Sequence, residues 1–436
     1  MSAPKLEAAG LTKIYKDGAV VAVDNISFTV ESGETLALLG PSGCGKSTTL
    51  NMIVGLERPT SGDIRIDGRS VVDVPAGRRD VGLVFQDYAV FAAMSVRDNL
   101  AFGLKVRRTD KAVIRREVDK TAEFLSLTDC LDVRAGRLSG SEQQRVAIGR
   151  TLVTKPALLL LDEPLSNLEA SARPAVRQEL RRLQQELRLS IIYVTHDQTE
   201  ALSLADRVAI MHHGKIIQEE QTLQIMQYPG HVRVAQFLGS PPMNILRGRL
   251  ADAGGGVKFT HAAFAVLFPA CALPAGIRER GPDKQYALGF RAEDLVLVPP
   301  EQGLWQGEIL GVEIRGGDAV VNLNSHGSPL QCVVEHKLKA APCAAPAGTR
   351  SESAPDLRPE PEKEGFPTTR RTGVSEAVPE TSPAFDVVSL RKGAPAGLTL
   401  APENIVLFDG DSNLRLESTL VPVPQCFNPQ PSPSVA

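Results

Sequence analysis

The chain has 436 residues, of which 42% are hydrophobic and 23% charged, and its formal net charge at pH 7 is −3. A single hydrophobic core stops growing at about 250 to 300 residues, so this length predicts two domains. The composition is that of a globular protein, and it lacks the basic excess with which proteins bind a polyanion. We therefore expect no nucleic-acid partner.

Neither export through a membrane nor insertion into one is indicated. The apolar run at 157–161 is far shorter than the ~18 residues that span a bilayer. Residues 1–10 lack the charged and apolar regions of a secretory signal. The six cysteines show neither CxxC nor Cys/His spacing, which argues against a zinc site or a disulfide framework. We expect a cytosolic protein with reduced thiols.

The first half of the chain alternates between two kinds of segment. From residue 6 to 238, short apolar runs typical of buried strands are separated by helical stretches such as 175–187. This alternation predicts an α/β layered domain. The strand-like runs lie at 35–39, 157–161, 191–194 and 208–211.

The second half of the chain, beyond the turn-rich segment 239–242, loses helical periodicity and carries short strand-like runs, which predict a small β-barrel. Residues 339–383 are rich in Pro, Ser and Glu and have too few apolar residues to offset the entropy of ordering, so we expect a disordered insertion. A Pro-rich, disordered tail is expected at 421–436. The strand-like runs lie at 244–250, 286–290, 295–298, 308–314, 319–323, 330–334, 384–390 and 398–409.

A glycine-rich segment that fits the phosphate-binding pattern GxxxxGK[ST] follows the strand-like run 35–39 and precedes a helical stretch at 48–54. In such a loop, backbone N–H groups surround the β- and γ-phosphates, and the helix N-terminus adds partial positive charge. Lys46 adds a full charge, and the Ser47 hydroxyl is placed to ligate Mg²⁺. A turn without a ligand rarely meets all these demands, so we predict a site for a nucleotide and Mg²⁺, which leaves kinases, GTPases and motor proteins open. Its residues are Gly40, Pro41, Ser42, Gly43, Cys44, Gly45, Lys46, Ser47 and Thr48.

Another apolar strand-like run ends in two acidic residues, Asp162 and Glu163. Without a phosphate loop this pair would be interpreted as an acidic cap after a buried strand. With one, it places Asp162 near the Mg²⁺ and Glu163 one residue further, where a carboxylate orients or deprotonates a water in line with the γ-phosphate. Asp162 is therefore the predicted metal ligand and Glu163 the predicted catalytic base.

The segment 138–145, LSGSEQQR, opens a helical stretch and resembles the signature motif of ABC ATPases. Gln86 resembles the glutamine of that family's Q-loop, 166–169 resembles its D-loop, and His196 resembles its switch histidine. The resemblance implies that Gln86 contacts the metal or the attacking water. It also implies that His196 contacts the γ-phosphate and holds Glu163 and the water for catalysis.

The resemblance further implies that ATP is buried between two subunits that face each other head to tail. The signature residues of one subunit, here Ser139, Gly140, Ser141 and Glu142, then face the phosphate loop of the other. Tyr15 corresponds to the aromatic residue that stacks on adenine. Because the chain carries one set of motifs, a homodimer or a dimer with a second ATPase subunit is implied.

Two segments of the second half, 239–244 and 288–294, resemble the linker and the GxRPED element of the ATPases of maltose- and glycerol-phosphate-type importers. The implied fold class is an α/β P-loop ABC ATPase domain with a helical subdomain, followed by a small all-β OB-like regulatory domain. The ATPase domain is predicted at 1–238, its helical subdomain at about 87–150, and the regulatory domain at 239–420.

A subunit of this kind energises solute import, predicted here for a carbohydrate or sugar phosphate, with polyamine, iron or anion import as the alternative. The implied partners are integral-membrane permease subunits, which dock near 88–104, and indirectly an external solute-binding protein. The implied location is peripheral, on the cytoplasmic face of the plasma (inner) membrane.

The sequence departs from the family pattern at 91–94, where FAAM replaces the usual aromatic-Pro-His segment, and at two positions that bear on hydrolysis. Ser141 stands where the second glycine of the signature is usual, and Glu169 stands where the D-loop aspartate is usual. The added Cβ of Ser141 would crowd the partner's γ-phosphate, although serine still donates through its N–H and O–H groups. Two hypotheses stay open, an active importer ATPase and a nucleotide-binding subunit with impaired hydrolysis.

Overall fold

The structure, a computed structural model, describes residues 3–15, 18–252, 256–261, 264–269, 284–303, 305–335, 390–400 and 404–416. The chain divides into two compact units, Met1–Ser240 with Ser412–Arg415, and Pro241–Asp411 with Leu416–Ala436. The predicted disordered insertion at 339–383 and the predicted tail at 421–436 lie outside the described residues. The domain bounds given above remain predictions.

Within its described residues, the first unit contains ten strands and eight α-helices. The strands are β1 (Leu6–Tyr15), β2 (Val20–Val30), β3 (Thr35–Leu39), β4 (Ser61–Ile66), β5 (Arg69–Ser70), β6 (Val81–Val84), β7 (Leu158–Asp162), β8 (Ile191–Thr195), β9 (Arg207–His212) and β10 (Lys215–Gln221). The helices are α1 (Lys46–Val54), α2 (Val96–Val106), α3 (Lys111–Phe124), α4 (Gly140–Leu152), α5 (Arg173–Leu187), α6 (Gln198–Leu204), α7 (Thr222–Gln227) and α8 (Val232–Phe237).

Six strands form the central sheet in the order β10-β9-β3-β8-β7-β6. All neighbours pair in parallel except β10, which is antiparallel to β9. Every residue of β3 and of β8 is buried, and a parallel strand covered on both faces needs apolar side chains on both. Because the carboxyl ends of parallel strands meet at one edge, the segments that follow β3, β6, β7 and β8 emerge together there.

A smaller antiparallel sheet has the order β2-β1-β4-β5. Alternate residues near the start of β1, Leu6 and Ala8, are buried, as expected for a strand with one covered face. A bulge between Ala8 and Leu11 shifts this alternation by one residue, so that Leu11 is buried as well. The strand ends at Tyr15.

Helices α2, α3 and α4 form a helical layer around a shared apolar core that includes Leu100, Val118 and Val146. Each helix begins after a polar residue whose side chain accepts a hydrogen bond from a backbone N–H of the first turn. Among the described residues, every helix falls short of the length and apolar character that crossing a bilayer requires. The capping residues are Ser95 for α2, Asp110 for α3 and Ser139 for α4.

The described part of the second unit is all-β. Its ten strands form two antiparallel sheets, ordered β13-β12-β11-β14-β20 and β15-β19-β16-β17-β18, and the two sheets share a core that includes Phe259, Phe290 and Trp305. The strands are β11 (Asn244–Asp252), β12 (Gly256–His261), β13 (Phe264–Pro269), β14 (Gln285–Phe290), β15 (Leu295–Val298), β16 (Trp305–Arg315), β17 (Asp318–Ser325), β18 (Ser328–Glu335), β19 (Pro395–Leu400) and β20 (Val406–Asp409).

The predicted fold class, an α/β unit followed by a small β unit, is confirmed. The short run of β12, GVKFTH, is interrupted by glycine and polar residues and was not among the predicted strands. The run of β13, FAVLFP, is continuously apolar and was not among them either. Residues 384–389, which begin one predicted strand-like run, lie outside the described residues.

Candidate active site

The phosphate loop connects β3 to α1, and glycine is required at two of its positions. At Gly40, a Cβ atom would lie 2.3 Å from the carbonyl oxygen of Met211, which is closer than any side chain tolerates. Gly45 has a φ of 107°, and a Cβ atom there would lie 2.4 Å from the carbonyl oxygen of Ala22. Glycine adopts this left-handed conformation without strain and leaves room for the packing.

The ammonium group of Lys46 lies inside the loop, and the residue is 4% exposed. Its Nζ atom donates hydrogen bonds to the carbonyl oxygens of Gly40 at 2.8 Å and Pro41 at 3.0 Å. A charged donor binds an anionic oxygen more strongly than a neutral carbonyl, so this group favours phosphate in the loop. Of the remaining predicted loop residues, Ser42, Gly43 and Ser47 are exposed, and Thr48 is half-buried.

The Cys44 thiol is a buried group beneath the loop and is 3% exposed. Burial raises its pKa, and the positive charge of Lys46, whose Nζ lies 3.9 Å from Sγ, opposes that shift without cancelling it. Because the thiolate is the reactive form, the environment makes Cys44 a packing residue and a poor nucleophile.

Ser47 and Asp162 come together from two different elements. The Ser47 hydroxyl donates to Oδ1 of Asp162 at 3.2 Å. Burial raises the pKa of Asp162, the hydrogen bond from Ser47 lowers it, and the neighbouring charge of Glu163 raises it again. Mg²⁺ is usually held by one or two protein oxygens and completes its shell with phosphate oxygens and water. One hydroxyl beside one carboxylate therefore fits Mg²⁺.

Gln86 is exposed in the loop that follows β6. Since β6 lies beside β7, this loop emerges at the same sheet edge as Asp162. The carbonyl oxygen of Gln86 accepts a hydrogen bond from Nδ2 of Asn167 at 2.8 Å. The backbone of the Gln86 loop is thereby joined to the turn that follows Glu163.

Glu163 and His196 are in direct contact, with Nδ1 of His196 lying 3.0 Å from Oε2 of Glu163. Each follows a buried parallel strand, and the strands β7 and β8 are neighbours. Glu163 has a φ of 44°, and its N–H donates to the carbonyl oxygen of Val194 at 2.9 Å. The glutamate side chain is 17% exposed and the histidine 55% exposed, so the pair presents a shielded carboxylate beside an accessible ring.

The predicted signature residues form the N-terminus of α4. The N–H of Ser139 donates to Oε2 of Glu142 at 2.8 Å, and the hydroxyl oxygen of Ser139 accepts from the N–H of Glu142 at 3.4 Å, which is a complete capping box. The same hydroxyl lies 2.6 Å from Oε2 of Glu142. The hydrogen bonds from Ser139 lower the pKa of Glu142. The hydroxyl of Ser141 lies 3.3 Å from that of Ser139, and Gly140 is exposed. These four residues contact one another at an accessible helix end.

Tyr15 lies at the end of β1 and is half-buried. The ammonium group of Lys13 lies 4.9 Å from the centroid of its ring, within the range of a cation–π interaction. Lys13 also pairs with Glu57 at 2.7 Å, which holds the cation in place. Tyr15 therefore belongs to the smaller antiparallel sheet, whereas the phosphate loop follows β3 of the central sheet.

Several residues that line the site were not found from the sequence. A cavity of about 60 Å³ adjoins Glu163 and His196. Glu200 is 3% exposed, and its Oε2 accepts hydrogen bonds from Tyr193 Oη at 2.8 Å and Thr195 Oγ1 at 2.9 Å. Burial raises the pKa of Glu200. The further lining residues are Arg173, Thr195 and Asp197, together with Ser166 of the predicted D-loop segment.

These buried contacts left little trace in the sequence. Glu200 follows His196 by four residues, and that proximity was the available signal. Arg173 stands between two motifs as an ordinary basic residue of a helical stretch, so no pattern distinguished it.

Comparison with known proteins gives one family match. Residues 23–166 match the family model described as ABC transporter.

Two curated relatives align with this chain over more than three quarters of their own length. A xylose/arabinose import ATP-binding protein of Haloferax volcanii is 41% identical over 326 residues, which is 73% of this chain and 83% of the relative. An sn-glycerol-3-phosphate import ATP-binding protein of Jannaschia sp. is 44% identical over 282 residues, which is 65% of this chain and 77% of the relative. Among solved structures, cbiO1 from Clostridium perfringens, part of the ABC transporter complex cbiONQ, matches with a TM-score of 0.47 and 30% identity, covering 51% of this chain and 90% of that one.

Proposed function

The chain belongs to the ATP-binding proteins of ABC transporters, and on this basis we propose that its phosphate-loop site hydrolyses ATP to energise import of a carbohydrate or sugar phosphate. The observation that carries the proposal is the convergence of the buried Lys46, the Ser47–Asp162 contact and the Glu163–His196 contact at one sheet edge. These groups supply the charge, the metal ligands and the base that phosphoryl transfer to water requires.

In this mechanism, Lys46 and the backbone N–H groups of the loop bind the phosphates, and the loop orients them for attack. Mg²⁺, held by Ser47, Asp162 and Gln86, supplies positive charge to the phosphate oxygens when it is bound. Glu163 orients the attacking water and accepts its proton.

His196 acts through its two ring nitrogens. Its Nδ1 atom, 3.0 Å from the Glu163 carboxylate, holds that base in place. Its Nε2 atom makes the contact that we assign to the γ-phosphate. Because the ring is 55% exposed, it is accessible to the nucleotide.

A second ATPase subunit completes the site in this proposal, either another copy of this chain or a related one. The N-terminus of α4 is accessible and carries the partial positive charge of a 13-residue helix. Ser139, Gly140 and Ser141 there bind the γ-phosphate of ATP held by the partner's phosphate loop. The negative charge of Glu142 repels the γ-phosphate. The Glu142 carboxylate accepts hydrogen bonds from the N–H and the hydroxyl of Ser139, and these bonds keep the carboxylate beside Ser139.

Permease subunits are the proposed membrane partners, and they dock on the helical layer. A groove of about 800 Å³ lies between α2 and α3, with Ala101, Ile114 and Val118 among its lining residues. The neighbouring Phe91 and Phe102 are both exposed, with ring centroids 4.7 Å apart. Most residues that line the groove are charged, whereas Phe91 and Phe102 are apolar and exposed, and such a mixed surface suits an amphipathic helix from a permease. The protein then lies peripherally on the cytoplasmic membrane face, with an external solute-binding protein as an indirect partner.

Glu163→Gln tests the catalytic part of the proposal. Removing the base should lower the rate of phosphate release from ATP by about 10²- to 10⁴-fold, while nucleotide binding is retained. Glu186→Gln, which changes an exposed carboxylate on α5, is the matched control and should keep the native rate. If Glu163→Gln hydrolyses ATP as fast as the native protein, the assignment of the base is wrong.

The two alternatives each have a distinguishing measurement. Ser141→Gly restores the usual signature glycine, and a several-fold gain in turnover would favour the nucleotide-binding subunit with impaired hydrolysis. Uptake of labelled pentose, glycerol phosphate and polyamine, with and without this chain, identifies the solute class. Loss of polyamine uptake alone would overturn the carbohydrate assignment.

A further inference from the structure

Arg173, the first residue of α5, reaches back over the turn that follows the predicted catalytic base. Its Nε atom donates to the carbonyl oxygen of Leu168 at 3.2 Å, and one terminal nitrogen donates to that of Ser166 at 3.2 Å. The other terminal nitrogen lies 4.0 Å from Oδ2 of Asp197, the residue next to His196. One guanidinium group therefore contacts both loops that carry the Glu163–His196 pair.

Asp197 is also held by hydrogen bonds to residues of β8 and α6. Its N–H donates to Thr195 Oγ1 at 2.9 Å, and that hydroxyl donates to the buried carboxylate of Glu200 at 2.9 Å. Its carboxylate caps α6 by accepting from the N–H of Thr199 at 2.7 Å. The loop around His196 is thus anchored to β8 and α6, and Arg173 links the turn after Glu163 to this anchor.

The positive charge of Arg173 also acts on the carboxylates around it. The small cavity beside the pair is lined by three carboxylates, those of Glu163, Asp197 and Glu200, and by the guanidinium group of Arg173. Like charges in a shielded space repel one another more strongly than in water. The positive charge of Arg173 offsets this repulsion, so its loss favours separation of the two loops.

We propose that Arg173 is a positioning residue for hydrolysis, which holds the 166–168 turn against Asp197 and so keeps the Glu163 carboxylate on the His196 ring. The inference rests on the proposed ATPase function. Arg173 acts through Glu163 and His196, without contact with the reacting atoms. A displacement of about 1 Å in a catalytic group costs up to roughly 10²-fold in rate, which sets the scale of the effect.

The test compares Arg173→Met and Arg173→Lys with Arg182→Met, a control that removes an exposed cation from the same helix. We expect Arg173→Met to lower kcat by about 10- to 100-fold with little change in KM. Arg173→Lys keeps the charge without the planar fork and should recover part of that loss. Arg182→Met should hydrolyse ATP at the native rate.

Hydrogen exchange measured by mass spectrometry supplies a readout that does not depend on turnover. Arg173→Met should speed amide exchange in peptides covering 163–169 and 194–200, and leave 40–47 and the centre of α5 unchanged. Native exchange in both loops, or a kcat within about twofold of native, would overturn the proposal. Faster exchange throughout the first unit would overturn it too, since it would show a general structural role. If the native chain itself does not hydrolyse ATP, the proposed function fails, and the exchange data still decide whether Arg173 joins the two loops.

Discussion

Removing the buried guanidinium group of Arg79 should destabilise the first unit strongly. Arg79 is 5% exposed and donates four hydrogen bonds to carbonyl oxygens. Two acceptors, Met52 at 2.7 Å and Ile53 at 3.0 Å, belong to the last turn of α1, whose carbonyls have no partner within the helix. The others are Val72 at 3.1 Å and Val74 at 2.8 Å. The side chain thus fastens the end of the phosphate-loop helix to the segment before β6.

Arg79→Met keeps much of the side-chain volume and removes all four donors. At about 1 kcal/mol net for each hydrogen bond, the expected loss of unfolding free energy is about 4 kcal/mol. For a unit of this size, that corresponds to a fall in Tm of about 10 °C. Burial lowers the pKa of Arg79, and the desolvation that causes this shift is already contained in the net value per hydrogen bond.

Differential scanning calorimetry of the full chain measures this change. Arg78→Met is the matched control, because Arg78 is the preceding residue and is exposed. The control should change Tm by less than about 2 °C, since exposed substitutions are usually within about 0.5 kcal/mol. A fall in Tm for Arg79→Met no larger than that of the control would refute the reasoning.

Two further predictions follow from buried titratable groups. Burial raises the pKa of Glu200 in the folded protein, so its favourable contribution to stability is present at low pH and is lost as pH rises through that pKa. The difference in Tm between Glu200→Gln and the native protein should therefore shift in favour of the variant as pH rises above about 4.5, and a difference independent of pH would contradict this. Burial raises the pKa of both Cys44 and Cys130, and the Cys44 thiol, which is the less accessible of the two, should react with N-ethylmaleimide more slowly than the partly exposed Cys130. Peptide mass spectrometry checks the order, and faster labelling of Cys44 would show that the loop opens.

Much of the fold class was predictable because its signals are local. A parallel strand buried on both faces needs an apolar run, and such runs marked β3, β7, β8 and β9. The phosphate loop needs glycine where its backbone is packed most closely, so Gly40 and Gly45 were visible as a pattern. Strand β12 was missed because its sequence, GVKFTH, has no continuous apolar run. Strand β13, FAVLFP, has such a run and was missed all the same.

The candidate site was predictable in its parts. Lys46, Asp162 and Glu163 belong to short motifs whose spacing reflects a requirement of phosphate chemistry, and His196 was predicted through the resemblance to ABC ATPases. Their roles remain proposals, as do those of Tyr15 and the signature residues. The motifs do not reveal the contacts, such as those of Arg173 and Glu200, that hold these residues in place.

The sequence by itself determined that this chain is a P-loop protein of the ABC type with a small β unit, since each motif is contiguous and chemically specific. The tertiary structure alone decided that Glu163 and His196 touch, because they are brought together by neighbouring strands far apart along the chain. It also decided the parts played by Arg79 and Arg173. A guanidinium group acquires its role from the carbonyls and carboxylates packed around it, and those partners are set by the fold rather than by adjacent residues.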